Sequence, residues 1–162
     1  MSRLHIPVAL RWSDVDAYQH VNNVEFFRIF EEARIAALWR RPDGDASPAA
    51  ILDAGPGAAS QTLAVAHRVE YLKPLGYWRS PVRVELWFGR LGRSSVDVCY
   101  EVYPPDTSVV RAAPSSGDEP HARATTTLVV VDGATGRPRA LTATDRAAWE
   151  PYLDDPPTFR AP

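Results

Sequence analysis

Hydrophobic and polar positions alternate from His5 to Trp12, a two-residue period that predicts a strand. The period then changes. From Val24 the apolar residues Val24, Phe27, Phe30, Ala33, Ala37 and Leu38 recur at steps of three and four, and Phe26, Ile29 and Ala36 widen the stripe. That is a helix packed over much of its circumference, ending near Arg41 before Pro42 and Gly44. Between strand and helix lies a polar turn, Ser13 to Asn22. Asn22 or Asn23 suits the N-cap, and Glu25 falls in the first turn, where negative charge suits the helix dipole.

Strand signals follow in series at Gln61–Leu72, Val82–Arg90, Ser94–Tyr103 and His121–Asp132. Leu91-Gly92-Arg93 reads as a hairpin turn, and Asp132-Gly133 begins another. Residues 42–60, rich in Ala, Gly and Pro, read as a mobile loop with a short helix at Pro48–Asp53. Residues 104–120 read as a second mobile loop. Thr144–Leu153 reads as a short amphipathic helix, and the Pro-rich tail 154–162 as frayed. One long helix and four or more antiparallel strands make an α+β domain over residues 1–162. Pairing of edge strands between two copies would remove an exposed edge.

Composition removes several possibilities. A 45% apolar and 23% charged chain is ordinary for a globular protein, and a net charge of −2 speaks against a broad basic surface for nucleic acid. Cys99 is the single cysteine, so no intrachain disulfide or cysteine-based metal site can form, and a reducing cytoplasm fits. No apolar run has the length of a membrane helix or a signal peptide.

Candidate chemistry concentrates in Arg11–Arg34. If the strand persists, Asp14 and Asp16 face one side. A carboxylate beside a helix N-terminus can take a proton from water or attack a carbonyl, and N–H groups near Asn23 and Val24 can polarise the carbonyl oxygen. Turn and capping roles explain both acids equally simply, and by spacing alone that plainer role is the stronger. His20 suits a general acid, a donor or a loop histidine. Asp14, Asp16 and His20 are of ligand type, but nothing completes a metal set, so no metal is expected. Glu31 or Glu32 can reach a buried polar group, but a solvated face is the plainer account of Glu32 and Arg34. Arg93, Ser94 and Ser95 form a basic hairpin able to hold phosphates, or a plain solvated turn. No Gly-x-Ser-x-Gly elbow is present.

The run Asp14-x-Asp16-x-x-x-His20-Val21-Asn22-Asn23, with Phe26, Glu31 or Glu32, Ala33 and Arg34, resembles the hotdog-fold acyl-CoA thioesterases of the 4-hydroxybenzoyl-CoA thioesterase-like family. Supporting stretches are Arg68 to Leu75, Gly92 to Ser95, and Val131-Asp132 with Thr135 to Pro138. The resemblance implies a long central helix wrapped by a curved antiparallel sheet. It also implies a homodimer assembling to a homotetramer, with active sites at the dimer interface. The substrate would be an acyl thioester of coenzyme A or of acyl carrier protein. Coenzyme A would be part of the substrate, and no separate cofactor would be used. Asp16 matches the catalytic acid, as general base or as nucleophile, with His20 and Asn23 assisting. Tyr18, Val24, Phe27, Arg93, Ser94 and Ser95 would meet substrate, the last three near its pantetheine or nucleotide part. Two positions depart from relatives. Some bacterial members use a His where Asn23 stands, and plant carrier-protein thioesterases use an Asn where Tyr18 stands. A non-hydrolytic acyl-thioester-binding protein and a hotdog dehydratase or hydratase are the alternatives.

Overall fold

A computed structural model describes residues 2–42, 47–105 and 119–160. Five strands form one antiparallel sheet: β1 (Leu4–Val8), β2 (Ser60–Tyr71), β3 (Val82–Leu91), β4 (Ser95–Tyr103) and β5 (Ala122–Asp132), in the order β1-β3-β4-β5-β2. Helix α1 (Glu25–Leu38) lies on one face, and α2 (Ala143–Trp149) follows the last strand.

The register explains the two faces. Leu4 pairs with Leu86, Leu86 with Tyr100, Tyr100 with Ala124 and Ala124 with Val69. This apolar row crosses all five strands and meets the buried side of α1, formed by Phe26, Ile29, Phe30, Ala33, Ala37 and Leu38. One residue along, the row reads His5, Glu85, Glu101, Arg123 and Glu70. Alternation along each strand thus sends apolar groups to the helix and charges to the outer face. Glu85 and Glu101 stand side by side there, and Arg3 bridges them at 3.2 and 2.8 Å. This is the hotdog arrangement, with a helix of 14 residues, about 21 Å long, shorter than expected.

Several boundaries differ from the sequence reading, each for a local reason. β1 stops at Val8 rather than Trp12, because the Asp14 carboxylate reaches back to the Arg11 N–H (2.6 Å) and closes a 3-10 turn over Trp12–Asp14. α1 stops at Leu38 rather than Arg41. Trp39 turns extended and bridges Leu52, with Arg40 N–H on Leu52 O (2.8 Å) and Leu52 N–H on Leu38 O (3.0 Å). That bridge replaces the helix expected at Pro48–Asp53. α2 ends at Trp149 and tightens to a 3-10 turn through Tyr152. Residues 43–46 and 106–118, parts of the two predicted loops, lie outside the described residues.

The tail 154–160, expected to fray, is held across the outer face of the sheet. Trp87 Nε1 donates to Asp155 O (2.9 Å), Arg123 to Thr158 O, and Arg160 N–H to Glu70 (3.0 Å). Gly89 permits the crossing, since a Cβ there would sit 2.8 Å from Cys99 Sγ and 3.3 Å from Pro156. Arg34 is also not on a solvated face. It is half-buried and donates to the fully buried Tyr100 hydroxyl at 3.3 Å. Among the described residues, no helix is long and apolar enough to cross a membrane, and no group of three or more His, Cys, Asp or Glu could hold a metal.

Candidate active site

The acidic turn folds into a small closed loop. Val15 and Val21 form an antiparallel bridge that brings its ends together. Within it Asp16 N–H donates to His20 O (2.8 Å), and Gln19 N–H to Asp16 O (3.1 Å). The Asp16 carboxylate accepts from its own loop: Oδ1 takes Tyr18 N–H at 2.8 Å and His20 N–H at 3.2 Å. Gln19 has φ +64°, the only non-glycine residue with positive φ among those described. A left-handed backbone on such a residue costs about 1–2 kcal/mol and persists only where the surroundings demand it.

The two acids separate completely. Asp14, wholly buried, binds Arg11 through main chain and guanidinium (2.6 and 2.8 Å) and Arg28 from α1 (2.5 Å). Burial pushes its carboxyl up, but the Arg11 hydrogen bonds and the Arg28 and Arg11 charges outweigh it and hold the group below its ordinary 3.8. Asp14 is a structural pin between loop and helix. The shared strand parity expected of the pair does not exist, because the strand has already ended. Asp16 instead is half-buried, and its Oδ2 accepts no protein donor among the described residues.

Asp16 opens on a cleft of about 340 Å³ lined by His20, Asn23, Phe26, Tyr71, Lys73 and Leu75 among others. One wall is the acidic loop and the turn into α1. The other is the end of β2 and the segment after it. Val21 N–H donates to Leu75 O (2.7 Å), and His20 bridges Gly76. At the helix entrance Asn22 stands before a leading turn: its Oδ1 accepts from Val24 N–H at 3.3 Å and its carbonyl from Glu25 N–H at 2.9 Å. The helix itself begins behind Val24, which makes no side-chain cap. Among the described residues the N–H groups of Asn23 and Phe26 donate to no protein acceptor. They are the donors available at the positive end of the helix.

Of the residues singled out from sequence, Asp16, His20 and Asn23 share this cleft. Tyr18, Val24 and Phe27 do not line it. The Tyr18 ring is 81% exposed, Val24 is exposed, and Phe27 sits edge-on to His67 at 5.3 Å. Arg93, Ser94 and Ser95 are remote within one protomer. Ser95 pairs with Val129 of β5 and Tyr71 with Ala122. Those partners are seven residues apart, roughly 24 Å at about 3.4 Å per residue. Sequence reasoning did not assign Tyr71, Lys73 and Leu75 to the site. The signal for them was that Tyr71-Leu72-Lys73-Pro74 closes a predicted strand and leads into a loop, a place where function is often carried.

A carboxylate thus faces a cleft beside a helix N-terminus on the helix-and-curved-sheet frame of the hotdog class. Residues 10–151 match the family model of the thioesterase-like superfamily, and the chain belongs to that superfamily. It resembles the PA2801 protein of Pseudomonas aeruginosa, provisionally a thioesterase, at 32% identity over 90% of this chain and 95% of that one (TM-score 0.64). The fold is shared with a thioesterase of Thermus thermophilus solved with coenzyme A and Zn: 24% identity, 91% and 92% covered, TM-score 0.63. It is shared also with YbaW of Escherichia coli, another provisional thioesterase: 20% identity, 94% and 98% covered, TM-score 0.62. No curated protein gives a significant match.

Proposed function

We propose that the protein hydrolyses an acyl thioester of coenzyme A to the free acid and the thiol, with Asp16 as the reacting carboxylate. The observation that carries this reading is the state of Asp16. One oxygen is pinned by two loop N–H groups, and the other accepts no donor among the described residues, in a cleft that also holds the helix entrance. A carboxylate so fixed can deprotonate water or attack the thioester carbon, while Asn23 and Phe26 N–H groups face the developing oxyanion. His20 on the same cleft orients the substrate. Coenzyme A as the carrier is supported by the coenzyme A complex of the Thermus thermophilus thioesterase.

The functional unit in this reading is a homodimer. β2 is an edge strand of 12 residues; Leu63, 50% exposed, faces outward with Val129, while Thr62 and Ala64 face α1, where Ile35 and, just past the helix end, Trp39 are exposed beside them. A second copy pairing there would satisfy the strand edge and cover apolar groups on both faces beside it. A neighbouring subunit is then the source of any Arg93, Ser94 and Ser95 contact with the substrate's phosphates. Pairing of dimers to a tetramer would have to accommodate the tail already laid across the outer sheet face.

The test is Asp16→Asn assayed by thiol release over a series of acyl-CoA chain lengths and aryl-CoAs. Loss of a reacting acid or base costs about 10²–10⁴ in rate. A variant as active as the parent overturns the assignment. Tight acyl-CoA binding by the parent with no thiol release selects the non-hydrolytic alternative.

A further inference from the structure

Tyr71 closes β2 and reaches across the cleft to the helix entrance. Its hydroxyl donates to the Asn23 carbonyl at 2.9 Å, and its ring meets Phe26 edge-on at 5.3 Å. The two residues are 48 apart in sequence, so this bond ties the end of the sheet to the turn before α1. We propose that Tyr71 is a positioning residue, which through its hydroxyl on the Asn23 carbonyl fixes the Asn23 backbone and so sets the Asn23 N–H that meets the thioester oxygen. The inference rests on the hydrolase reading above.

The argument is one of peptide geometry. The Asn23 carbonyl and the Val24 N–H belong to one rigid planar unit. Anchoring the oxygen fixes the rotation of that plane, and with it the torsion about Asn23 that separates the Val24 N–H from the Asn23 N–H. The Val24 N–H is itself only loosely held, 3.3 Å from Asn22 Oδ1, beyond the usual range for such a bond. The side-chain cap that ordinarily stiffens a helix start is absent here. The phenol therefore supplies the rigidity that the cap does not. Burial raises the Tyr71 phenol above its ordinary 10.0, so it remains a donor at neutral and mildly alkaline pH.

Tyr71→Phe removes the hydroxyl and keeps the ring against Phe26. Thiol release is measured with acyl-CoA for the parent, Tyr71→Phe, Tyr71→Trp and Asp16→Asn, separating kcat from KM. The Val24 amide nitrogen resonance is followed in parallel. Loss of one whole oxyanion donor costs about 10²–10³ in kcat, and a donor left in place but loosened costs less, about 5–20-fold, with KM within about 2-fold. The Val24 nitrogen shifts because its own peptide has lost a bond. Tyr71→Trp, which keeps a ring N–H, recovers part of kcat, and it is the variant compared with the parent should Tyr71→Phe not fold. Unchanged kcat, a loss confined to KM, or a Trp variant no better than Phe overturns the role of Tyr71 while leaving Asp16 in place. Equal thiol release by the parent and Asp16→Asn overturns both readings.

Discussion

Asp14 and Asp16 stand two residues apart and are predicted to fail in opposite ways. Asp14→Asn preserves the shape of the buried side chain but removes its charge, and turns an amide donor toward donors. The lost partners are Arg11 N–H at 2.6 Å, the Arg11 guanidinium at 2.8 Å and the Arg28 guanidinium at 2.5 Å. The Arg11 side chain is more than half exposed, so its ion pair is discounted to nothing. Arg28 is only 19% exposed and Asp14 is 0%, and removing one partner of such a pair costs about 3–5 kcal/mol where both are buried. Arg28 keeps Glu25 at 3.3 Å, which places the expected loss at the lower end, about 3 kcal/mol. With an m-value of about 2 kcal/mol/M, the urea midpoint falls by about 1.5 M. The pH dependence has a definite sign. The Asp14 carboxyl titrates below 3.8 in the folded state, so its contribution is complete above the unfolded value and is lost as pH falls through the folded one. Asp14→Asn should therefore be destabilised at neutral pH and show a flatter acid limb. Urea titrations of both single variants at pH 7 and pH 3 decide the matter. An Asp14→Asn midpoint within experimental error of the parent refutes the structural role. So would an Asp16→Asn variant that is the less stable of the two.

Gly133→Ala places a Cβ into the Ala58 carbonyl, so the turn after β5 must shift or lose its Gly133 N–H bond to Ala59 O; thermal unfolding should show a loss of about 1–3 kcal/mol. The control Gly76→Ala meets no atom within 4 Å and should leave stability nearly unchanged. Leu63→Glu on the edge of β2 is expected to raise the dimer dissociation constant at least about tenfold in analytical ultracentrifugation, since it exchanges about 1.5–3 kcal/mol of apolar burial for a charge. An unchanged constant would remove that strand from the proposed interface.

What could be read in advance followed from periodicity. The core strands β3, β4 and β5 carry alternation strong enough to locate them within a residue or two, and the register then follows from which face must be buried. The misreadings share a cause. Where β1 and α1 end is decided by partners distant in space or by one side chain: Asp14 folding back on Arg11, and Leu52 capturing the main chain beyond Leu38. Arg34 looked solvated because its neighbours on the helix are charged. Only the packing shows Tyr100 beneath it. The tail looked frayed because prolines prevent regular structure, yet Trp87, Arg123 and Glu70 hold it through single bonds that no local pattern announces. In the site, Asp16 was singled out by the family resemblance of its motif and not by spacing, whereas Tyr71 was given no role, since its bond to Asn23 depends on the sheet end arriving beside the helix start.

That meeting of sheet end and helix start links activity to assembly. β2 contributes Tyr71 to the cleft at one end and presents Leu63 and Val65 as an open apolar edge nearer the other. A bulge at Val65 lies within the exposed stretch and changes the twist of the strand there. A strand exposed along both faces for most of its length has little to hold its direction except its pairing with β5 and the Tyr71 anchor. Covering its free edge with a second copy would stiffen the same strand that carries Tyr71, and so the Asn23 backbone that the proposed mechanism sets against the substrate. Activity per subunit should therefore rise with protein concentration across the range where the chain associates. The Leu63→Glu variant should lose kcat in proportion to the fraction left monomeric, although residue 63 lies far along the strand from Asp16. If its specific activity equals that of the parent at concentrations where it sediments as a monomer, the strand does not transmit assembly to the cleft.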